Sequence, residues 1–547
     1  MFLPQGISNY NQSRADARRA RFDPANTRAN LYVSTGQHVH RVLFQDGCGP
    51  VGAAGARAVG VESSPDQNSA TWTAVATREV ILAAGALRTP QTLELSGIGD
   101  NATLSANGIQ TRISLPGVGN NLQDHMLMHM SQAFNNTDFV YTNVMNNQTV
   151  NDWARQTYYA NRTGMYCFGP PDGNAFLSLP QFSNRSDALA SMASQQSSDQ
   201  YLAKGLDQSV VQGYARQRAL LIPALNDSSR GAIEFLQDNA GNTQISNQRP
   251  LTRGSVHIND TDPFTYPSLD FRYGSNPVDY QLMLDALRFN DLLFQQPALQ
   301  ILKPVQNDPP HAASDQQLEQ FLNTSLGTEY HPSGTAAMLP REDGGVVNGS
   351  LVVYGTQNLR VVDASIFPII PASHLEAVVY GVAEKAADLI KSATHPASTP
   401  NLPLNQATCT TGASSTKRST SETQVRDYPP HNVYSLERRQ LDSCDSVSNS
   451  YPVVGYPIYN PGNVKTFDPN DPNRPASVGL PVGAALDYIE QLVNGIGTLG
   501  QDIVEGLLGP VLGSGSDSSG SASVSNNETG YYGGGLGLGL KAVRFAA

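Results

Sequence analysis

The clearest helical pattern lies late in the chain. Leu375, Val378, Val379, Val382, Ala386, Leu389 and Ile390 recur at spacings that put them on one apolar stripe. Ser373 and Glu376 stand three apart at its start, so a capping box is expected, with Ser373 as N-cap and His374 in the first helical position. There the positive end of the helix dipole would favour the neutral imidazole. Two further helices are expected, from Pro277 to Phe294 behind Asn276 as N-cap, and from Asp315 to Leu322. A shorter one, from about Thr89 to Ser96, carries Pro90 at an early position where proline is tolerated. It follows ATREVILAAGA, which reads as a buried strand closing on Ala83, Ala84 and Gly85, small residues that permit close backbone approach. ANLYVSTGQHVHRVLF alternates around Val33, Val39 and Val42 and reads as one or two strands, as do GSVHIND and PSLDF.

After about residue 393 the pattern dissolves. THPASTPNLPLNQATCTTGASSTKRSTSETQ is rich in Ser, Thr and Pro and holds too little apolar surface to fold, so a disordered tail is expected. Within it, Leu486, Ile489, Leu492, Ile496, Leu499, Ile503 and Leu507 outline a weak amphipathic helix. Gly495, Gly497, Gly500 and Gly506 dilute it, each less favourable than alanine by about 1 kcal/mol. Lys417-Arg418 and Arg438-Arg439 are dibasic candidate cleavage points. Near the other end, Gly47 to Gly52 spell a literal G-x-G-x-x-G. The following AAGARAVGVESS returns at once to a strand pattern instead of opening a helix, so a Gly-rich hairpin loop is expected rather than a dinucleotide fingerprint.

Composition narrows the functional classes. Only 15% of the 547 residues are charged and the net charge is −12. No segment concentrates Lys and Arg enough to track phosphates, which argues against nucleic-acid binding. No run of apolar residues is long enough for a transmembrane helix, and the N-terminus lacks the apolar core of a signal peptide. The four cysteines show no zinc-ligand spacing, although Cys409 and Cys444 could pair within the tail. His125 and His129 stand four apart, as helical metal ligands do, but no Glu follows the first and no third ligand is evident; no metal is expected. Eleven N-x-S/T sequons, of which about six or seven would arise by chance in so Asn-rich a chain, lean towards a secreted glycoprotein.

The candidate chemistry centres on two histidines. His331 precedes Pro332, which biases its backbone to an extended conformation. An imidazole with a pKa near 6.5 can take a proton at neutral pH, as general-base catalysis requires. Neither an H-E-x-x-H nor a G-x-S-x-G motif is present, so metalloprotease and serine-hydrolase chemistry find no support.

Three ordered stretches widen the setting: EVILAAGALRTPQTLELSGIGD, LPGVGNNLQDHM, and GTEYHPSGTAAM continued by GGVVNGSLVVYGTQNLRVVDASIFPIIPASH. Together they resemble the glucose–methanol–choline (GMC) family of FAD-dependent oxidoreductases, from about residue 10 to 392. The resemblance implies an α/β and α+β architecture: a residual Rossmann-like FAD-binding domain at 1–125, a substrate-binding domain with an antiparallel sheet and helices at 126–325, and a return to the FAD domain at 326–392, ahead of the tail at 393–547. It implies oxidation of a small-molecule alcohol, with His331 as base and His374 hydrogen-bonding the forming alkoxide. It places Val39, Ala84, Gly85, Tyr330, Asp363 and Ala364 at the cofactor, Val39 by its backbone at the adenine and Asp363-Ala364 near the flavin and diphosphate. The family's first βαβ unit, with its diphosphate-binding glycine turn, should precede all of this. The expectation is therefore an N-terminally truncated member with impaired flavin binding. Two alternatives stay open: a non-redox lyase or cyclase on the same fold, and an inactive remnant.

Overall fold

In a computed structural model of the protein, residues 12–13, 15–45, 55–136, 142–167 and 173–393 are described. The G-x-G-x-x-G stretch and the expected helix at 486–507 lie outside these residues. Alternation around Val39 and Val42 yields a single strand, β1 (His38–Phe44), shorter than the sequence pattern, because the residues ahead of it are mostly exposed. It pairs antiparallel with β2 (Ala58–Ser64), and β2 pairs with β3 (Trp72–Val75). β4 (Val80–Leu82) runs into α1 (Gly85–Leu95), which starts four residues earlier than expected and keeps Pro90 inside its early turns. Gly85, with φ at +78°, makes that tight corner; this conformation costs a glycine little and an alanine much.

The second layer is a six-stranded antiparallel sheet. Its strands are β5 (Met126–Phe134), β6 (Gly173–Leu177), β7 (Ile233–Gln237) and β8 (Asn242–Asn247), joined later by two more. GSVHIND and PSLDF form the separate pair β9 (Ser255–His257) and β10 (Ser268–Asp270). Helix α2 (Pro277–Phe294) begins where expected, with the Asn276 side chain accepting from Val278 N. β11 (Pro304–Asp308) follows, then α3 (Asp315–Ser325), which Ser314 and Gln317 open with a full capping box. β12 (Gly327–Thr328) then adds to β5. The sheet order is β11-β5-β8-β7-β6, with β12 also on β5.

The chain then returns to its beginning. β13 (Leu359–Val361) pairs parallel with β4, and α4 (Leu375–Ser392) closes the described fold. One core joins residues of the first 118 positions, among them Val42, Leu93, Ile98 and Val118, to Val347, Leu359, Ile366, Leu375 and Ala386. Val378, Val379, Val382 and Leu389 pack against it, so the apolar stripe of α4 faces this core. A second core lies on the antiparallel sheet and holds Met128, Leu179, Ile233, Ile245, Leu282 and Leu322. Among the described residues no helix is long and apolar enough to cross a membrane.

The capping box expected at Ser373 and Glu376 does not form. His374 is itself the N-cap of α4, with ψ at 126°, and its side chain makes no capping hydrogen bond. The Ser373 N–H is taken by Pro371 O at 2.9 Å, which holds the entering chain in a turn and starts the helix one residue later.

Candidate functional site

Register decides which side chains meet. β12 pairs with β5 so that Thr328 lies opposite Met126, and the next residue, Glu329, donates its N–H to His125 O at 3.1 Å. The two segments continue alongside each other, with Gln123 bridged to Ser333 in both directions. Gly334, at φ +89°, follows; a Cβ there would stand 2.5 Å from Asn121 O, so only glycine lets the segments run this close. Between these ties, His331 is held by its own N–H, which donates to Asp124 Oδ1 at 3.0 Å. The other oxygen of Asp124 accepts from Thr328 Oγ1 and Tyr273 Oη, each at 2.5 Å. On the neighbouring strands, Glu234 of β7 lies opposite Ser246 of β8, which brings Glu234 and Gln248 to the same end of the sheet as His125.

Five titratable side chains, His125, Glu234, Glu329, His331 and His374, converge there from four separate stretches of chain. The rings of His331 and His374 stand 5.5 Å apart, nearly perpendicular. His374 Nε2 lies 2.6 Å from Glu234 Oε1, which also accepts from Asn174 Nδ2 at 2.9 Å. His331 Nδ1 lies 2.9 Å from His125 Nδ1 and 3.6 Å from Glu329 Oε2. Glu329 sits between the pairs, its Oε2 accepting from Gln248 Nε2 at 3.3 Å and its Oε1 3.9 Å from His374 Nε2. The His374 side chain keeps 43% of its surface exposed, whereas that of Glu234 is fully buried.

This network sets the charges. The hydrogen bond to Glu234 raises the His374 pKa above its ordinary value and outweighs burial, so the imidazolium is favoured. The expectation of a neutral His374 is thus corrected: a carboxylate in contact outweighs the weaker field of a helix end. Burial, with the nearby charge of Glu329, pushes the Glu234 carboxyl upward. For Glu329, burial acts upward too, but the contacts with His125 and His331 overcome it and hold the carboxyl well below the usual range. Burial lowers the pKa of His125.

The residues assigned to a cofactor fall into three places. Val39 and Ala84 line one cavity of about 310 Å³, together with His38, Arg88, Gln91 and Thr92. Gly85 adjoins it, and a Cβ there would meet nothing within 4 Å. Asp363 is consumed by structure: its Oδ2 accepts from Gly85 N at 3.0 Å and Thr89 Oγ1 at 2.6 Å, and its Oδ1 from Ser365 N at 2.8 Å. Its carboxylate therefore ties the end of β13 to the β4–α1 corner, and the adjacent Ala364 offers only backbone. Tyr330, beside the histidine pair, is 85% exposed and held at φ +62°, a strained conformation for a side-chain-bearing residue.

His125 and His129 do not share a helix. His125 precedes β5 and is fully buried, while His129 lies within β5 and is exposed. The partners of His125 come from some 200 positions away, where no local spacing could announce them. Glu234, Glu329, Gln248 and Asn174 were missed for the same reason; the only local sign was Glu329 two residues before His331.

Two family models, both described as GMC oxidoreductase, match residues 5–127 and 250–383. The GMC oxidoreductase family protein Mala s 12 of Malassezia sympodialis is 36% identical over 389 residues, covering 70% of this chain and 60% of that protein. An FAD-dependent oxidoreductase from Chaetomium thermophilum superposes with a TM-score of 0.67 at 31% identity, over 70% of this chain and 66% of that one. A fungal aryl-alcohol oxidase does so at 0.64 and 31%, over 70% and 65%. The chain spans about 60% of the length of the curated relatives it matches.

Proposed function

The chain belongs to the GMC oxidoreductase family, and on that premise we propose that it oxidises a small alcohol to the carbonyl with FAD, using His331 as general base. The observation that carries the assignment is the unequal environment of the two histidines. His374 is hydrogen-bonded to a buried carboxylate and favours its charged form. A charged imidazole cannot accept a proton, but it can hydrogen-bond and stabilise a forming alkoxide. His331 turns its Nδ1 towards His125 and Glu329, which leaves Nε2 for the substrate hydroxyl. His331 Nε2 takes the hydroxyl proton, His374 stabilises the alkoxide that forms, and the alkoxide lone pair weakens the adjacent C–H bond as the C=O bond develops. FAD, when bound, supplies the acceptor for the hydride that carbon releases.

The residues present fit that group in part. The cavity walled by Val39, His38, Ala84, Arg88, Gln91 and Thr92 is open and partly apolar, and would hold the adenosine half. At the start of α1 the space that a Cβ on Gly85 would fill is open, although the Gly85 N–H itself is donated to Asp363.

The test is anaerobic reduction of the FAD-loaded protein by primary alcohols, aromatic and aliphatic, followed in the visible flavin band. His331→Ala should slow the reductive step about 10²- to 10⁴-fold. Loaded protein that no alcohol reduces, or a variant that reduces as fast as the unmodified chain, rejects the assignment.

A further inference from the structure

Three donor atoms converge behind the histidine pair: His125 Nδ1, His331 Nδ1 and Glu329 Oε2. Their separations are 2.9, 3.3 and 3.6 Å. A tetrahedral ion with bonds of about 2.0–2.1 Å spaces its ligands roughly 3.3 Å apart, so this triangle has the dimensions of one face of a zinc tetrahedron. Three points so spaced lie on a circle of about 1.9 Å radius, and an ion at zinc-like bond lengths would stand less than ~1 Å from their plane.

Hydrogen bonding alone serves the triangle poorly. If one imidazole carries its proton on Nδ1, a single hydrogen is shared between the two remaining lone-pair atoms; if both do, two N–H groups confront each other across 2.9 Å. A cation satisfies all three lone pairs at once. A further unpartnered donor atom lies beside the triangle, on its His374 side. Glu329 is 93% buried by its side chain, which is only 7% exposed, yet its Oε1 has no hydrogen-bond partner. That oxygen faces His374 Nε2 at 3.9 Å, so Glu329, Glu234 and His374 form a second set of converging donors beside the first. The orientation of Glu329 is supported by the Gln248 amide, as ligating carboxylates commonly are.

We propose that His125, His331 and Glu329 form a binding site for a divalent transition-metal ion of the zinc class, with one position left open towards the His374 side. Two imidazole nitrogens suit zinc or cobalt, whereas magnesium prefers a set made of oxygens alone. Where His331 acts as the base, a role that rests on the function proposed above, the ion has a defined consequence. Coordination through Nδ1 leaves the neutral ring its proton on Nε2, the atom that would otherwise accept the hydroxyl proton. The bound ion is then an inhibitor, and its removal restores the base.

The test is made on the full chain without substrate, so a failure of alcohol oxidation leaves it intact. Zn²⁺ is titrated calorimetrically, and Co²⁺ serves as a spectroscopic probe of tetrahedral geometry. One ion per chain is expected, with Mg²⁺ ineffective. Glu329→Gln and His125→Gln should each weaken binding by at least about 10- to 100-fold, a loss already typical of second-shell changes. His129→Gln and His311→Gln, both at exposed histidines, should bind as the unmodified chain does. Should the buried variants fold poorly, X-ray absorption of the zinc complex of the unmodified chain decides: two imidazole ligands support the site. Fewer than two imidazoles, no binding, or unchanged affinity in Glu329→Gln and His125→Gln overturns it.

Discussion

Glu234 shows how much can rest on one carboxylate. Its side chain is fully buried on β7 and accepts from Asn174, engages His374 and takes a longer contact from Gln248 Nε2 at 3.3 Å. Glu234→Leu keeps the volume roughly but takes from buried Asn174 and from His374 their shortest hydrogen-bond partner, while Gln248 keeps Ser246 and Glu329. Each buried orphan costs about 1–3 kcal/mol, so the urea midpoint of the variant should fall clearly. Loss of the negative charge also removes what favours the His374 cation, and alcohol-driven flavin reduction should slow with it. A midpoint unchanged from the parent would mean that water replaces the carboxylate at this position.

At the scale of elements, β1 and β2 carry their own electrostatic tie. Arg41 lies directly opposite Glu62 in the register, and its guanidinium donates to Glu62 Oε2 at 3.1 Å, with His40 Nδ1 3.5 Å from the other oxygen. Burial pushes the Glu62 carboxyl up, but His40 and Arg41 together bring it below its ordinary value. A carboxyl with a depressed folded-state pKa stabilises the fold above its unfolded value of about 4.5, and that stabilisation is lost as the pH falls through the folded value. Glu62→Gln should therefore cost stability at pH 7 and progressively less below about pH 4.5. Urea midpoints taken across that range for both proteins would show the two curves converging on the acid side; parallel curves would remove Glu62 from the account. α4 gives a contrasting lesson. Its apolar stripe predicts the helix and its buried face, yet the local capping rule misplaces its start by one residue, because the Pro371–Ser373 turn had already taken the N–H.

Over the whole molecule, the site depends on both cores at once. Glu234 and His125 stand on the antiparallel sheet over the second core, while His374 opens a helix packed on the first. Leu93 in the first core and Leu282 in the second are both buried, and truncating either to alanine should cost about 2–5 kcal/mol. Because neither core alone assembles the histidine pair, both variants should lose activity at the lower urea concentration of their own first transition. Activity that outlasts the melting of one core would show that the site needs only the other.

Much of this was legible in one dimension. Helices at Pro277–Phe294 and along the stripe after His374 follow from apolar spacing and cap residues, which act within a few positions of themselves. That His331 and His374 would meet was also suggested by the GTEYHPSGTAAM stretch and its continuation, and their rings stand 5.5 Å apart. The protonation of His374 was not. It depends first on Glu234, a carboxylate placed at this end of the sheet only when β7 pairs with β8. The docking of β12 on β5 turned His125 from one member of a spacing pattern into a buried neighbour of His331. Local rules assign elements because the forces behind them are local. The charge state of a site is set by contact distance and burial, and both exist only after residues far apart in the chain have met.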